Sequence, residues 1–226
     1  SFFQGLQYSI NSVFCNVGKR FGARLILDYS QRFGFYKKPP LELPADERRA
    51  SGLYEGGKLF DPDDPQTQVD PGRLAFGQER LQVTPLQMAM VAATVANRGV
   101  LMRPHVVDRI VAPGGDVVTR TEPKEYARPI KARTAAEITA MMEAVVASGT
   151  GTAAQIPGIR VAGKTGTAET GVAGVKTTSF ITFAPADRPR VAIAVFLENQ
   201  SGFGGTTAAP IAKAVMQVLL AAPSNS

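Results

Sequence analysis

A lysine, two threonines and a glycine stand in one run, Lys164-Thr165-Gly166-Thr167. An ammonium is a fixed positive charge with three donors, threonine hydroxyls both donate and accept, and glycine lets another backbone come close because it has no Cβ. On a strand at a sheet edge, such a run could receive an extended peptide as a further strand. Read instead as a β-turn, it leaves a solvated lysine and no site, and the four residues alone fit both readings. Two strand-like runs follow, at 176–185 and at 190–199, the latter almost wholly apolar in RVAIAVFLEN. With the stretch that begins at Val161 they predict three neighbouring strands.

Other reactive side chains carry less. Cys15 lies on an apolar run beside Phe14 and Val17, which predicts a buried, unreactive thiol and leaves no partner for a disulfide. His105 is the only histidine, and with no cluster of histidine or cysteine around it the sequence predicts no metal and no cofactor. The net charge of +6 is spread along the chain without a basic cluster or an aromatic-interleaved repeat, so nucleic acid is not an expected partner. At 226 residues and 44% hydrophobic content the chain can build one sizeable core. No run approaches the ~18–20 apolar residues of a membrane span. The sequence opens at Ser1-Phe2-Phe3 without an initiator methionine, so the chain is expected to be a fragment, and the lack of a leader within it says nothing about compartment.

The elements that must position the run are punctuated unevenly. Leu6, Ile10, Phe14, Val17 and Phe21 recur at helical spacing and predict one helix over 6–21 with these residues facing a core; Ser9 and Asn11 interrupt the pattern. The stretch 37–78 is rich in proline and glycine, includes DPDDPQ, and predicts loops. Thr84, Pro85 and Gln87 predict a capping box and a helix with Leu86, Met90 and Ala93 on one stripe, ending at Asn97-Arg98-Gly99. A hairpin turning at Pro113-Gly114-Gly115 follows. Thr134 and Glu137 predict a second capping box opening a helix through Ile138, Met141, Met142, Val145 and Val146 to Ser148-Gly149. After the strands, Thr207 is expected to cap a last helix whose stripe of Ile211, Val215, Val218 and Leu219 covers the sheet. The fold class is therefore α+β, with a sheet that looks small for the chain length.

Three longer segments, YSINSVFCNVGKRFG, FGQERLQVTPLQMAMVAATVANRGVLMRPHVV and SGTGTAAQIPGIRVAGKTGTAE, resemble the transpeptidase domain of class B penicillin-binding proteins, with actinobacterial members nearest. The likeness spans nearly the whole chain. It implies an antiparallel sheet flanked by helices, a penicillin-binding/β-lactamase-like fold, and it makes residues 1–226 the C-terminal part of a single such domain. The implied activity is peptidoglycan D,D-transpeptidation through a serine acyl-enzyme, with stem peptides and β-lactams as ligands. Ser9 and Asn11 then match the family's Ser-X-Asn motif, and Lys164, Thr165 and Gly166 its Lys-Thr-Gly motif. By that match Ser9 relays a proton to the leaving amine, Asn11 holds the substrate amide, and Lys164 supplies positive potential to the relay. Thr165 and Thr167 hydrogen-bond a substrate carboxylate. The Thr167 amide is one of two oxyanion donors, an interaction worth roughly 2.7–4 kcal/mol in comparable sites.

One motif of the family is missing from the sequence. Its nucleophile lies in a Ser-X-X-Lys motif upstream of Ser-X-Asn, and no serine here has a lysine three positions on. The nucleophile helix and the first sheet strands, which precede that motif, are expected outside this chain, and the chain alone is expected to be inactive. A penicillin-recognising sensor or inactive homologue is the alternative; a class D-like β-lactamase fits less well, since VTPLQMAMVAATVANRG and the lack of a deacylation base oppose it. The resemblance further implies a membrane-anchored parent on the extracytoplasmic face, associated with cell-wall synthesis proteins.

Overall fold

The computed structural model describes residues 1–61 and 68–222, so the acidic run expected as a solvated turn lies, beyond Asp61, outside the described residues. In chain order the elements are helices α1 (Phe2–Gln7) and α2 (Asn11–Arg32), strands β1 (Gly52–Glu55) and β2 (Lys58–Leu59), helix α3 (Pro71–Ala75), strand β3 (Leu81–Gln82) and helix α4 (Pro85–Ala96). Strands β4 (Leu101–Met102), β5 (Arg109–Val111), β6 (Val117–Arg120) and β7 (Glu125–Ala127) precede helix α5 (Ala132–Ser148). Strands β8 (Ala162–Glu169), β9 (Lys176–Ala184) and β10 (Val191–Gln200) and helix α6 (Gly204–Ala221) complete the chain.

The three long strands form an antiparallel sheet in the order β10-β9-β8, with Lys164 opposite Ile181 and Thr165 opposite Phe180. Because side chains alternate along a strand, the two faces fill differently. Phe180 and Ala184 meet Ala208, Ala209, Ala212 and Met216 of α6 on one face. Phe183 and Ala162 meet Val95 of α4, Ala135 and Met142 of α5, and Ile130 on the other. This is the expected α+β arrangement of a sheet between helices. Leu27, Leu53 and Leu74 form a separate small core joining α2, β1 and α3.

The helices depart from the sequence expectation in instructive ways. The helix predicted over 6–21 is broken: α1 ends at Gln7, Ser9 takes a left-handed backbone at φ 55°, and α2 starts at Asn11. Leu6 packs against the core, but Ile10 and Phe21 stay exposed, so the predicted face is not continuous. The loop expected over 37–78 holds a short hairpin and α3, whose first amides are accepted by the Asp70 carboxylate. Thr84 caps α4 as predicted, but the buried Gln87 side chain donates to the Phe33 carbonyl at 2.8 Å instead of closing a box. Helix α5 begins at Ala132 after Lys131, placing Thr134 inside it, while Glu137 pairs with Arg133. The predicted core side chains Met141, Met142, Val145 and Val146 are all buried.

On α6 the expected face is reversed. Phe203, not Thr207, is the cap; Thr207 lies within the first turn and its hydroxyl meets Thr178 at 2.7 Å. Alanines contact the sheet, and Ile211, Val215, Val218 and Leu219 are exposed. A small-residue face allows a helix to approach the sheet closely, and here that proximity outweighs side-chain apolarity. The 105–120 hairpin forms as β5 and β6 around a turn in which the Ala112 amide donates to the Asp116 carbonyl.

Close approach also governs β8. A Cβ added to Gly163 would overlap the ring of Phe180, which is fully buried. Replacing Gly163 with Ala is expected to lower stability by roughly 1–3 kcal/mol, the usual range for overpacking a filled core, as read from the urea unfolding midpoint. An unchanged midpoint would show that Phe180 can move aside.

Candidate active site

Strand β8 is an edge of its sheet among the described residues, because β9 pairs with it on one side only. Lys164 projects from the face opposite α6, where its Nζ donates to Ser9 Oγ at 2.8 Å and to its neighbour's carbonyl, Thr165 O, at 2.8 Å. Residues 155 positions apart are thus brought into one hydrogen bond.

Ser9 reaches Lys164 through its local backbone and through the docking of α1. The Ile10 amide donates to the Gly5 carbonyl at 2.8 Å, tightening the turn and giving Ser9 its positive φ. Gln7 then fastens α1 to the end of α5. Its side chain donates to Ser148 Oγ at 3.0 Å, and its carbonyl accepts the Thr150 amide at 3.3 Å. Asn11 is the first residue of α2, exposed on its surface, so Ser9 and Asn11 sit on either side of a helix start.

Burial dominates the Lys164 ammonium. Loss of water lowers its pKa from 10.5 to about 8, since an ammonium is solvated less well there than in water. At pH 7 roughly one lysine in ten is then neutral, which is a workable reserve for proton exchange with a neighbouring hydroxyl.

The threonines lie on the other side of the strand from Lys164. Thr165 is buried, and its Oγ1 stands 2.7 Å from Thr150 Oγ1. Thr167 is exposed and its Oγ1 accepts the Gly204 amide at 3.2 Å, at the start of α6. With an amide proton occupying one lone pair, the Thr167 hydroxyl proton is left to donate outward. Gly166 lies opposite Ser179, and Gly204 approaches both so closely that a Cβ there would overlap their carbonyl oxygens. Beside this wall the Lys176 ammonium sits 4.1 Å over the ring of Phe203. Cys15 is half-buried and free, away from these residues on α2. His105 is exposed, with Nδ1 3.2 Å from the Val107 carbonyl oxygen. Among the described residues no three His, Cys, Asp or Glu side chains gather as a metal site would require.

All six residues singled out in the sequence therefore come to one region, although Asn11 is placed by α2 alone and no polar contact joins it to the lysine. The sequence reading overlooked Thr150, Gly204 and Phe203. Thr150 stands in the quoted run SGTGTA, where a second hydroxyl so close before the strand was the available signal.

Residues 1–217 match the family model described as the penicillin-binding protein transpeptidase domain. The chain belongs to that family. It is 33% identical over 220 residues to the peptidoglycan D,D-transpeptidase PbpA of Mycolicibacterium smegmatis, covering 94% of this chain and 42% of the relative. It is also 33% identical over 226 residues to stage V sporulation protein D of Bacillus subtilis, covering 96% of this chain and 33% of the relative. The chain thus spans less than half the length of these curated relatives. Among solved structures, the imipenem acyl-enzyme complex of penicillin-binding protein A from M. tuberculosis superposes with a TM-score of 0.83 at 32% identity, over 97% of this chain and 47% of that one. These matches agree with the class B penicillin-binding fold expected from the sequence.

Two outcomes follow from the lysine and the serine. Lys164 should titrate near pH 8 by NMR of its side chain. Because the unfolded lysine binds a proton up to about pH 10.5, unfolding takes up protons between pH 8 and 10.5 and stability rises with pH across that window. The desolvation penalty, about 3 kcal/mol below pH 8, should be missing from the pH profile of Lys164→Met. A midpoint near 10.5 would contradict the burial argument. Ser9→Gly should relieve the left-handed backbone by about 1 kcal/mol but take an acceptor from the buried Lys164 ammonium, which costs about 1–3 kcal/mol, so a modest net loss of stability is expected. A thermal melt raised above that of the unsubstituted protein would refute this.

Proposed function

We propose that this chain is the substrate-holding half of a serine-type peptidoglycan D,D-transpeptidase, which acylates its serine with a stem peptide, releases D-alanine and passes the acyl group to a second stem's amine. β-Lactams enter the same site as substrate mimics. The 2.8 Å contact between Lys164 Nζ and Ser9 Oγ carries the reading, because it unites two motif residues that the sequence separates by 155 positions. In this reading residues 1–226 form the C-terminal part of one transpeptidase domain.

Each residue then has a task. Ser9 accepts from the Lys164 ammonium, so its own proton is free to pass to a leaving amine while a proton returns along the same line. Lys164 keeps positive potential beside that hydroxyl. Asn11 offers an exposed amide to the substrate backbone. Thr165 and Thr167 take the carboxylate side, and the Thr167 amide on the free edge of β8 serves the oxyanion. Gly166 keeps that edge close to α6.

The attacking serine and its lysine base come from a Ser-X-X-Lys segment outside the 226 residues. The outer edge of β10 is unpaired among the described residues, and this bare edge suits the further sheet strands that such a segment would bring. The complete protein sits on the extracytoplasmic face of the membrane, held by an anchor outside these residues and working beside other cell-wall synthesis proteins; no described helix is long and apolar enough to cross a membrane.

Fluorescent penicillin tests the reading. The complete protein should be labelled on a serine outside residues 1–226, and the isolated chain should take no label. Lys164→Ala in the complete protein should slow acylation by roughly 100-fold with the fold preserved by circular dichroism, the lower end of what a positioned acid–base group contributes. A covalent label mapped to any of the 226 residues, or ordinary acylation by Lys164→Ala, would overturn it. Recognition without turnover, as in a sensor, would appear as stable labelling with no transfer to an acceptor amine.

A further inference from the structure

Ser9 faces Lys164 because of the way α1 ends. The Ser9 amide donates to the Leu6 carbonyl at 3.3 Å, and the Ile10 amide donates to the Gly5 carbonyl at 2.8 Å. Together these bonds make the Schellman ending of a helix, and they put Ser9, at φ 55°, in the left-handed place where glycine is the usual occupant. A serine there bears a backbone cost that glycine would avoid, and it supplies the hydroxyl that Lys164 meets. The direction of the Ser9 side chain is therefore set by α1 as a body.

Helix α1 has six residues, too few to hold a helix or its orientation unaided. Leu6 packs it against the core, and Gln7, its last residue, ties it to the turn that leaves α5. The Gln7 side-chain amide donates to Ser148 Oγ at 3.0 Å, and its carbonyl accepts the Thr150 amide at 3.3 Å. Between those partners lies Gly149, where a Cβ would overlap the Gln7 carbonyl oxygen. The same turn is tied to β8 on its other side, since Thr150 Oγ1 lies 2.7 Å from Thr165 Oγ1, next to Lys164. One turn thus registers both members of the Ser9–Lys164 contact, and Gln7 is its link to the Ser9 side.

We propose that Gln7 is a positioning residue for the proton relay: by holding the end of α1 to Ser148 it keeps the Ser9 hydroxyl in line between Lys164 and the leaving nitrogen, while touching no reacting atom itself. The proposal rests on the transpeptidase reading above. In that reading the C–N bond breaks as the nitrogen takes the Ser9 proton, and the Lys164 ammonium gives Ser9 a proton in its place. A displaced Ser9 therefore slows the departure of an amine. A thiolate, being a weak base, departs without that proton, so its departure is spared.

The test compares acylation of the complete protein by a penicillin, whose ring nitrogen leaves, and by an acyl-D-alanyl thioester, whose sulfur leaves. Gln7→Met, which keeps the length of the side chain and loses its amide, should lower the penicillin-to-thioester ratio of acylation rates by about fivefold, the worth of one hydrogen bond. Ser148→Ala, at the exposed end of α5, should do the same from the other side and carries the test if Gln7→Met does not fold. The double variant should lower the ratio no further than either single one, and Ser148→Thr, which keeps a hydroxyl, should hold it within about twofold. A ratio unchanged in Gln7→Met and Ser148→Ala would overturn the proposal while leaving the transpeptidase reading standing. So would equal slowing of both substrates, the mark of a merely structural role, or effects of the two substitutions that multiply. Failure of the unsubstituted protein to acylate with either substrate would overturn the transpeptidase reading and this proposal with it.

Discussion

An ammonium held between a hydroxyl and a carbonyl, in a place where water is scarce, is the constraint around which this structure is arranged. Lys164 has two short acceptors, Ser9 Oγ and Thr165 O, and neither is offered by chance. The first requires a serine in a left-handed turn; the second requires the lysine to fold back along its own strand. Both acceptors keep the buried charge tolerable, and burial keeps its proton loosely held. A lysine in open solvent would satisfy its donors with water and hold its proton past any useful pH.

Three packing devices maintain that geometry. Gln7 binds α1 to the end of α5, so the turn carrying Ser9 is registered against the loop that leads into β8. Gly163 lets the strand lie on Phe180, and Gly204 lets the start of α6 press on Gly166 and Ser179. Each glycine marks a contact between backbones or with a ring that a methyl group would forbid. The wall of the site is consequently made of main chain and hydroxyls, with its one buried charge on the opposite side of the strand from the threonines.

Much of this was legible in the residues, and each failure has its own physical cause. The strands at β8, β9 and β10 and the helix opened by Thr84 and Pro85 were marked by strong local signals, and the structure places them within a residue or two. The broken helix at Ser9 was not marked, because nothing in an apolar spacing of three and four reveals a single left-handed serine. The face of α6 was misjudged for a different reason. Apolarity favoured Ile211, Val215, Val218 and Leu219, but the distance between helix and sheet is set by bulk, and Ala208, Ala209 and Ala212 fit where the larger side chains do not. Of the site, the motif residues were visible as residue types. The Thr150–Thr165 pair was not, because it depends on how the loop before β8 returns to the strand.

The last helix ties the site to the core. Its first turn builds one wall of the site, through the Gly204 amide on Thr167, and its body buries Ala208, Ala209, Ala212 and Met216 against the sheet. Whatever loosens that packing therefore reaches the wall as well as the core, whereas the Lys164–Ser9 contact lies across the strand from it.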